Sequence, residues 1–345
     1  MGKLKTNIPT FHFFYKTILT FGIKGNILSI WVIYYHINLE DNTYSKIAGG
    51  TMKKFNTSIT ILVLIIIVLA MAACFFGLFS SGGTGKYDFK TINNEIVKIY
   101  GEGIYKNDSI SGVAQVKASD FVTLFMGIPL LMGSLYFANK GSFSGKLMLT
   151  GTLGYFLYTY MSYTFLLTYN PLFIVYVGIM SASLYAFITS FMSFEIEKVP
   201  GMFNEKLPAK FLGGFQLFVG FAIGLMWLGK IAPSIFNGAI PLGLENYTTL
   251  VIQGMDLGII VPAAFLSGIL IIKRKSFGYL LSSVIIIKGV TMLTCISAMI
   301  INMALMGVVM SLAEILVFPV LNLFAVICLI LLFKNIKKSE WSELM

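Results

Sequence analysis

Histidine is nearly missing from this chain: there are 2 among 345 residues, His12 and His36, and both precede the first long apolar run. Haem ligation by histidine, histidine-bound zinc, Glu-x-x-His di-iron sites and Ser-His hydrolysis all need an imidazole at the reacting centre. The apolar runs supply none. Charge is scarce as well. At 12% Asp, Glu, Lys and Arg, the chain carries about half the roughly 25% of a soluble domain, too little to cover a globular surface of this size. The three cysteines, Cys74, Cys295 and Cys328, fall inside apolar runs and show neither disulfide nor metal spacing. A Walker-type phosphate loop is absent. An intramembrane aspartyl protease needs two carboxylates sharing one proton, and the apolar runs hold a single central Asp. These gaps lean against an enzyme, and no metal or cofactor is expected.

What is abundant is apolar sequence, at 57% of residues. About 20 apolar residues cross a roughly 30 Å hydrocarbon layer as a helix. Eight stretches qualify: Ser58–Ser80, Phe121–Ala138, Leu147–Tyr169, Pro171–Phe194, Phe211–Ile231, Leu250–Ile272, Tyr279–Ile301 and Leu312–Phe333. They lack the alternation of barrel strands and are twice as long. The expected fold class is all-α, a polytopic transmembrane helix bundle of about eight spans. Residues 1–57 form an N-terminal cytoplasmic or interfacial segment, 58–333 the bundle and 334–345 a tail.

Lysine sets the expected orientation, because cytoplasmic loops carry excess Lys and Arg. Lys140 and Lys146, then Lys198, Lys206 and Lys210, then Lys273-Arg274-Lys275, then Lys334, Lys337 and Lys338 fall on one side, together with the lysines of the N-terminal segment. Both termini are therefore expected in the cytoplasm, in a cell-membrane protein. The net charge of +10 is spread over five segments, which suits anionic lipid headgroups. A nucleic-acid footprint would be one clustered basic face, so the lipid bilayer is the expected partner and nucleic acid is not. Phe11–Tyr35 is aromatic-rich but interrupted by Lys16, Gly22, Lys24, Gly25 and Asn26. It reads as an interfacial helix, with a ninth span as the competing reading. Met52-Lys53-Lys54 also resembles a translation start, and Ala70–Cys74 has some features of a lipoprotein processing site. An ordinary first span is the preferred reading of that region.

A charge near the bilayer centre costs about 2.5 to 3.5 kcal/mol on insertion scales, so such residues face the bundle interior or a water-filled cavity. The last three spans hold Asp256, Lys288 and Glu314. At 1.5 Å per residue, Asp256 falls about 7 Å outward of its span's midpoint, Lys288 about 3 Å inward and Glu314 roughly 12 Å outward. Gln253 shares the face of Asp256. Asn322 follows Glu314 in a span interrupted by Pro319, where a kink is expected. These five residues are the candidate intramembrane polar centre. A pathway past Glu314 and Asp256 to Lys288 competes with a simple ion pair locking two helices. Glycines at 213, 214, 220 and 224, and at 151 and 154, permit close helix approach. Tyr155, Tyr158 and Ser162 form a stripe on the third span, with Tyr160 and Tyr163 nearby.

The one long outer segment, residues 82–120, alternates as Tyr87–Ile92, Asn93-Asn94 and Glu95–Tyr100, which predicts a β-hairpin about an Asn-Asn turn. Asn107-Asp108-Ser109 then offers caps for a helix entering the second span. The segment is expected to form a small outer hairpin and loop cap, with a loop merely packed on the bundle as its competitor.

Tyr100–Ser109 with Asp120–Leu124, Gly154–Tyr158 with Tyr169–Phe173, and Gln253–Gly258 together resemble a group of bacterial multi-pass membrane proteins of unknown function. The resemblance runs from about Met52 to the end of the seventh span. It implies a fold and no activity, and marks Tyr105, Asp108, Asp120, Asn170 and Asp256 as group features, most of them at the outer mouth. The functional expectation is a transporter or receptor for a small molecule or ion. A non-catalytic membrane scaffold or assembly partner is the alternative, and a membrane-embedded enzyme the third choice.

Overall fold

The computed structural model describes residues 57–241 and 243–337, without the side chains of Ala313 and Glu314. The expected interfacial helix over Phe11–Tyr35, the end of the tail and the Glu314 side chain lie outside the described residues. Eight long helices follow in order: α1 Thr57–Phe79, α2 Ile110–Asn139, α3 Phe143–Leu166, α4 Phe173–Met192, α5 Ala209–Asn237, α6 Val251–Ile272, α7 Ser276–Leu305 and α8 Leu312–Lys334. A short 3-10 helix, Ile196–Met202, joins α4 to α5. All helices but α3 are long and apolar enough to cross a bilayer.

The burial pattern explains both groups. On α1 the face of Ile59, Val63, Ile66, Ala70, Ala73 and Cys74 is sealed, whereas Ile61, Leu64, Ile65, Val68, Met71, Phe75, Phe76 and Phe79 are turned outward. An apolar outer face of that extent would make a soluble protein aggregate, and a bilayer covers it. The chain is a multi-pass helical membrane protein. Helix α3 is 24 residues long, about 36 Å, and it packs against α2, α4 and α7. Enclosed by neighbours, it carries Thr150, Tyr155, Tyr160 and Tyr163 toward the interior, where Ser190, Thr123, Cys74 and Asp120 of other helices partner them in turn.

Two spans are not plain α-helices. Helix α2 widens into a π turn at Thr123–Gly127 and α6 into another at Asp256–Ile260. Pro129 and Pro262 follow directly. A proline ring clashes with the carbonyl four residues before it, here Phe125 and Gly258, both inside the π turns. A wider turn relieves that clash, and such turns recur at functional sites. Helix α8, in contrast, runs through Pro319 as one helix.

The hairpin forms from β1 Tyr87–Lys90 and β2 Ile96–Ile99, antiparallel, with Lys90 opposite Ile96. The expected two-residue Asn-Asn turn is corrected to a longer one. The Thr91 hydroxyl accepts the Asn93 and Glu95 amides, and Asn94 takes the left-handed conformation at φ 64°, so the ladder stops earlier. The hairpin is mostly exposed. Residues 100–109 and 243–250 are tied together by the Ser109–Glu245, Asn246–Asn107 and Tyr247–Asp108 hydrogen bonds.

Hydrogen bonds between connections gather them into two ends. At the hairpin end, the Thr168 amide donates to Asp108 (2.8 Å) and Asn302 donates to the Ala114 carbonyl (2.7 Å). At the lysine-rich end, the Asn204 amide donates to Asn335 (2.8 Å), Lys146 to the Ser193 carbonyl (2.7 Å), and Arg274 to the Glu205 and Leu207 carbonyls. The surface ion pair Lys198–Glu195 (2.6 Å) adds little stability.

Candidate functional site

Asp256 is the first residue of the α6 π turn. Its two oxygens are taken by two ring donors from two other helices. The Tyr158 hydroxyl of α3 donates to Oδ1 at 2.7 Å, and the Trp227 indole N–H of α5 donates to Oδ2 at 2.8 Å. Lys288 of α7 does not reach the carboxylate. Its Nζ sits over the Tyr158 ring, 4.1 Å from the centroid, and among the described residues no lysine or arginine nitrogen comes within 4.0 Å of Asp256. Counted from the lysine-rich ends of their helices, Lys288 lies about 18 Å in, Tyr158 about 22 Å and Asp256 about 24 Å. One tyrosine thus spans the gap between opposite charges. The lysine stem passes beside Gly154, where a Cβ would lie in ordinary contact at 3.6 Å from Lys288 Cγ and 3.4 Å from the Phe187 ring. Lys230, one turn beyond Trp227 toward the hairpin end, stands over the indole ring at 5.5 Å. Asp256, Tyr158, Trp227 and Lys288 are all half-buried.

Two further members of the expected centre stand apart from it. Gln253 is half-buried and makes no hydrogen bond to Asp256 among the described residues. Asn322 pairs with Thr294, donating from Nδ2 at 3.2 Å, and so ties α8 to α7. The centre is built by α3, α5, α6 and α7, not by the last three spans alone.

Asp120 is not at the outer mouth, where the sequence placed it. Helix α2 begins at Ile110, capped by the Ser109 hydroxyl accepting the Gly112 amide (3.0 Å), which carries Asp120 about 15 Å into the bundle. The cap at Ser109 and the helix running on into the second span are as the sequence led one to expect; that α1, α3 and α7 enclose Gln115–Asp120 is not visible in sequence. Asp120 is fully buried. Tyr105 donates to its Oδ2 at 2.7 Å, and Tyr163 to its Oδ1 at 2.9 Å. Lys117, one turn earlier, turns away and donates to the Tyr100 hydroxyl (2.9 Å). Gly77 of α1 is required beside this carboxylate, since a Cβ there would fall 2.0 Å from Oδ2. Cys74 and Tyr160 meet nearby, sulfur to oxygen at 3.7 Å.

Asp108 lies in the loop just ahead of α2, and it is buried. Its Oδ1 accepts the Thr168 amide and the Tyr247 hydroxyl (3.3 Å), while Oδ2 has no partner. Burial pushes its carboxyl up to about 6. Glu245 accepts from Ser111 at 2.7 Å and from Ser109, placing a carboxylate on the α2 N-terminus, where the helix dipole favours it. Asn170 serves the α3–α4 turn: its Oδ1 accepts the Leu172 amide (3.0 Å), an Asx turn ahead of α4. Among the described residues no group of three or more His, Cys, Asp or Glu could hold a metal ion.

The sequence reading missed Tyr158 and Trp227 as partners of Asp256, and Glu245 and Tyr247 as parts of the mouth. One signal was available. Trp227 is one of 3 tryptophans, and its indole N–H in an apolar span must find an acceptor. No family model, no curated protein and no solved structure matches this chain.

Proposed function

We propose that this protein carries or senses a small polar solute at the Asp256–Tyr158–Trp227–Lys288 centre. The observation that supports it is the separation of the carboxylate from the ammonium. A pair kept only to lock helices would meet directly, because each buried charge is costly without its partner. Here Asp256 is held by neutral donors and Lys288 by a ring face, which leaves both charges able to engage a third party. The π turn at Asp256 adds a widened backbone at the same place. We place the protein in the cell membrane with both termini cytoplasmic, a reading supported by the gathering of Lys140, Lys146, Lys198, Lys206, Lys273, Arg274, Lys275 and Lys334 at one end of the bundle.

A scaffold role is the second reading. It is favoured by the way Tyr158 and Trp227 join α3, α5 and α6 through one carboxylate. Trp227 separates the two. In a Trp31→Phe/Trp341→Phe background it is the sole tryptophan, and its fluorescence in proteoliposomes is measured against iodide in the water and brominated acyl chains in the lipid. A solute centre gives quenching by iodide. Quenching by brominated chains alone, or by neither, removes the solute reading.

A further inference from the structure

Resting on the solute reading of this same centre, the geometry points to the chemical class of the ligand: we propose a small zwitterion, a molecule carrying an ammonium and a carboxylate about as far apart as in an α-amino acid. The argument begins with complementarity. Asp256 presents a carboxylate whose two donors, Tyr158 and Trp227, each occupy one oxygen. A carboxylate has about four lone-pair sites, so each oxygen keeps capacity for a further donor. Lys288 presents three N–H donors, and its described contact is with the Tyr158 ring face, which uses its charge without accepting a directed hydrogen bond in the way an oxygen would.

A simple cation would satisfy Asp256 and leave Lys288 facing it. A simple anion would do the reverse. Either leaves one half-buried charge uncompensated inside the bundle, where that is expensive. A ligand with both charges neutralises both at once, the ammonium on Asp256 and the carboxylate on Lys288, lying along the Tyr158 ring that separates them. Tyr158 sets the reach. The two protein charges are one phenol apart, and a short zwitterion with a hydrogen bond at each end covers that span.

The test is a thermal-unfolding series on the full chain in detergent, with two matched sets of probes: alanine, ethylamine and propionate, and leucine, isoamylamine and isocaproate. Each set presents the zwitterion, the same skeleton without its carboxylate, and the same skeleton without its ammonium. The expected result is that at least one amino acid raises the unfolding temperature of the wild type, with apparent affinity at least tenfold above both of its single-charge analogues. Asp256→Asn and Lys288→Met each abolish that shift. If an amine or an acid acts as strongly as its amino acid and depends on Asp256 or Lys288, the centre binds a solute but the zwitterion inference is overturned. If the amino acid shift persists unchanged in both variants, binding lies elsewhere and the underlying reading of the centre falls too. If no probe in either set shifts the wild type, the inference is overturned. The wild-type series stands even where a variant folds poorly.

Discussion

At the scale of single residues, two described carboxylates inside the helices are handled by one repeated device: each is held by ring donors rather than by a cation. Asp256 takes Tyr158 and Trp227, and Asp120 takes Tyr105 and Tyr163. Phenols and indoles bring large apolar bodies that pack well and one polar tip that satisfies the carboxylate. Asp108, in the loop ahead of α2, is the exception, with one oxygen unpartnered, and its behaviour is open to titration. Burial raises its carboxyl from an ordinary 3.8 to about 6, so the folded protein favours the neutral acid. As pH climbs past 4 the unfolded chain loses its proton first. The stability contributed by neutral Asp108 is therefore complete below about pH 4 and gone above about pH 6, a change of about 3 kcal/mol. Asp108→Asn lacks this titration. Unfolding temperatures of both proteins at pH 4.5 and 7.5 should show the wild type losing ground to the variant on going to the higher pH. A difference between them that is independent of pH would contradict the burial of an ionisable Asp108.

At the scale of elements, helix contact is set by small residues, and neighbouring glycines have opposite roles. Gly213 of α5 faces α6, and a Cβ there would lie 2.6 Å from the Gly268 carbonyl. Gly214, the next residue, has nothing within 4 Å. Gly213→Ala should therefore force α5 and α6 apart and cost about 1 to 3 kcal/mol, more than the helix-propensity gain returns. Gly214→Ala should gain up to about 1 kcal/mol, because glycine is a poor helix former. Thermal unfolding of the two variants checks this, and equal effects would contradict the assigned helix faces. Element identity was largely legible beforehand, since long apolar runs and the alternating Tyr87–Ile99 segment carry their own periodicity. Boundaries were not. The apolar run of the second span starts only at Phe121, although the caps before Ile110 announce the helix earlier, and only tertiary enclosure makes Asp120 an interior residue. Asp256 and Lys288 could be singled out because charge is conspicuous in apolar sequence. Tyr158 and Trp227 could not be paired with them, because an aromatic in a span has many reasons to be there and its partner lies on another helix.

At the scale of the whole molecule, the eight long helices among the described residues arrange their connections into an end with the hairpin and a lysine-rich end, with the polar centre between α3, α5, α6 and α7. The account depends on that centre being reached by water rather than sealed as a packing device. Cys74, Cys295 and Cys328 are all buried, so a single introduced thiol can be read against a low background. The most direct measurement is the reaction of Lys288→Cys, in sealed proteoliposomes, with a small membrane-impermeant thiol reagent, compared with the same protein after denaturation. The account predicts labelling of the folded variant at a rate well above that of the wild type. A thiol at position 288 that stays unreactive until the protein is unfolded would show a dry, locked interior and contradict it.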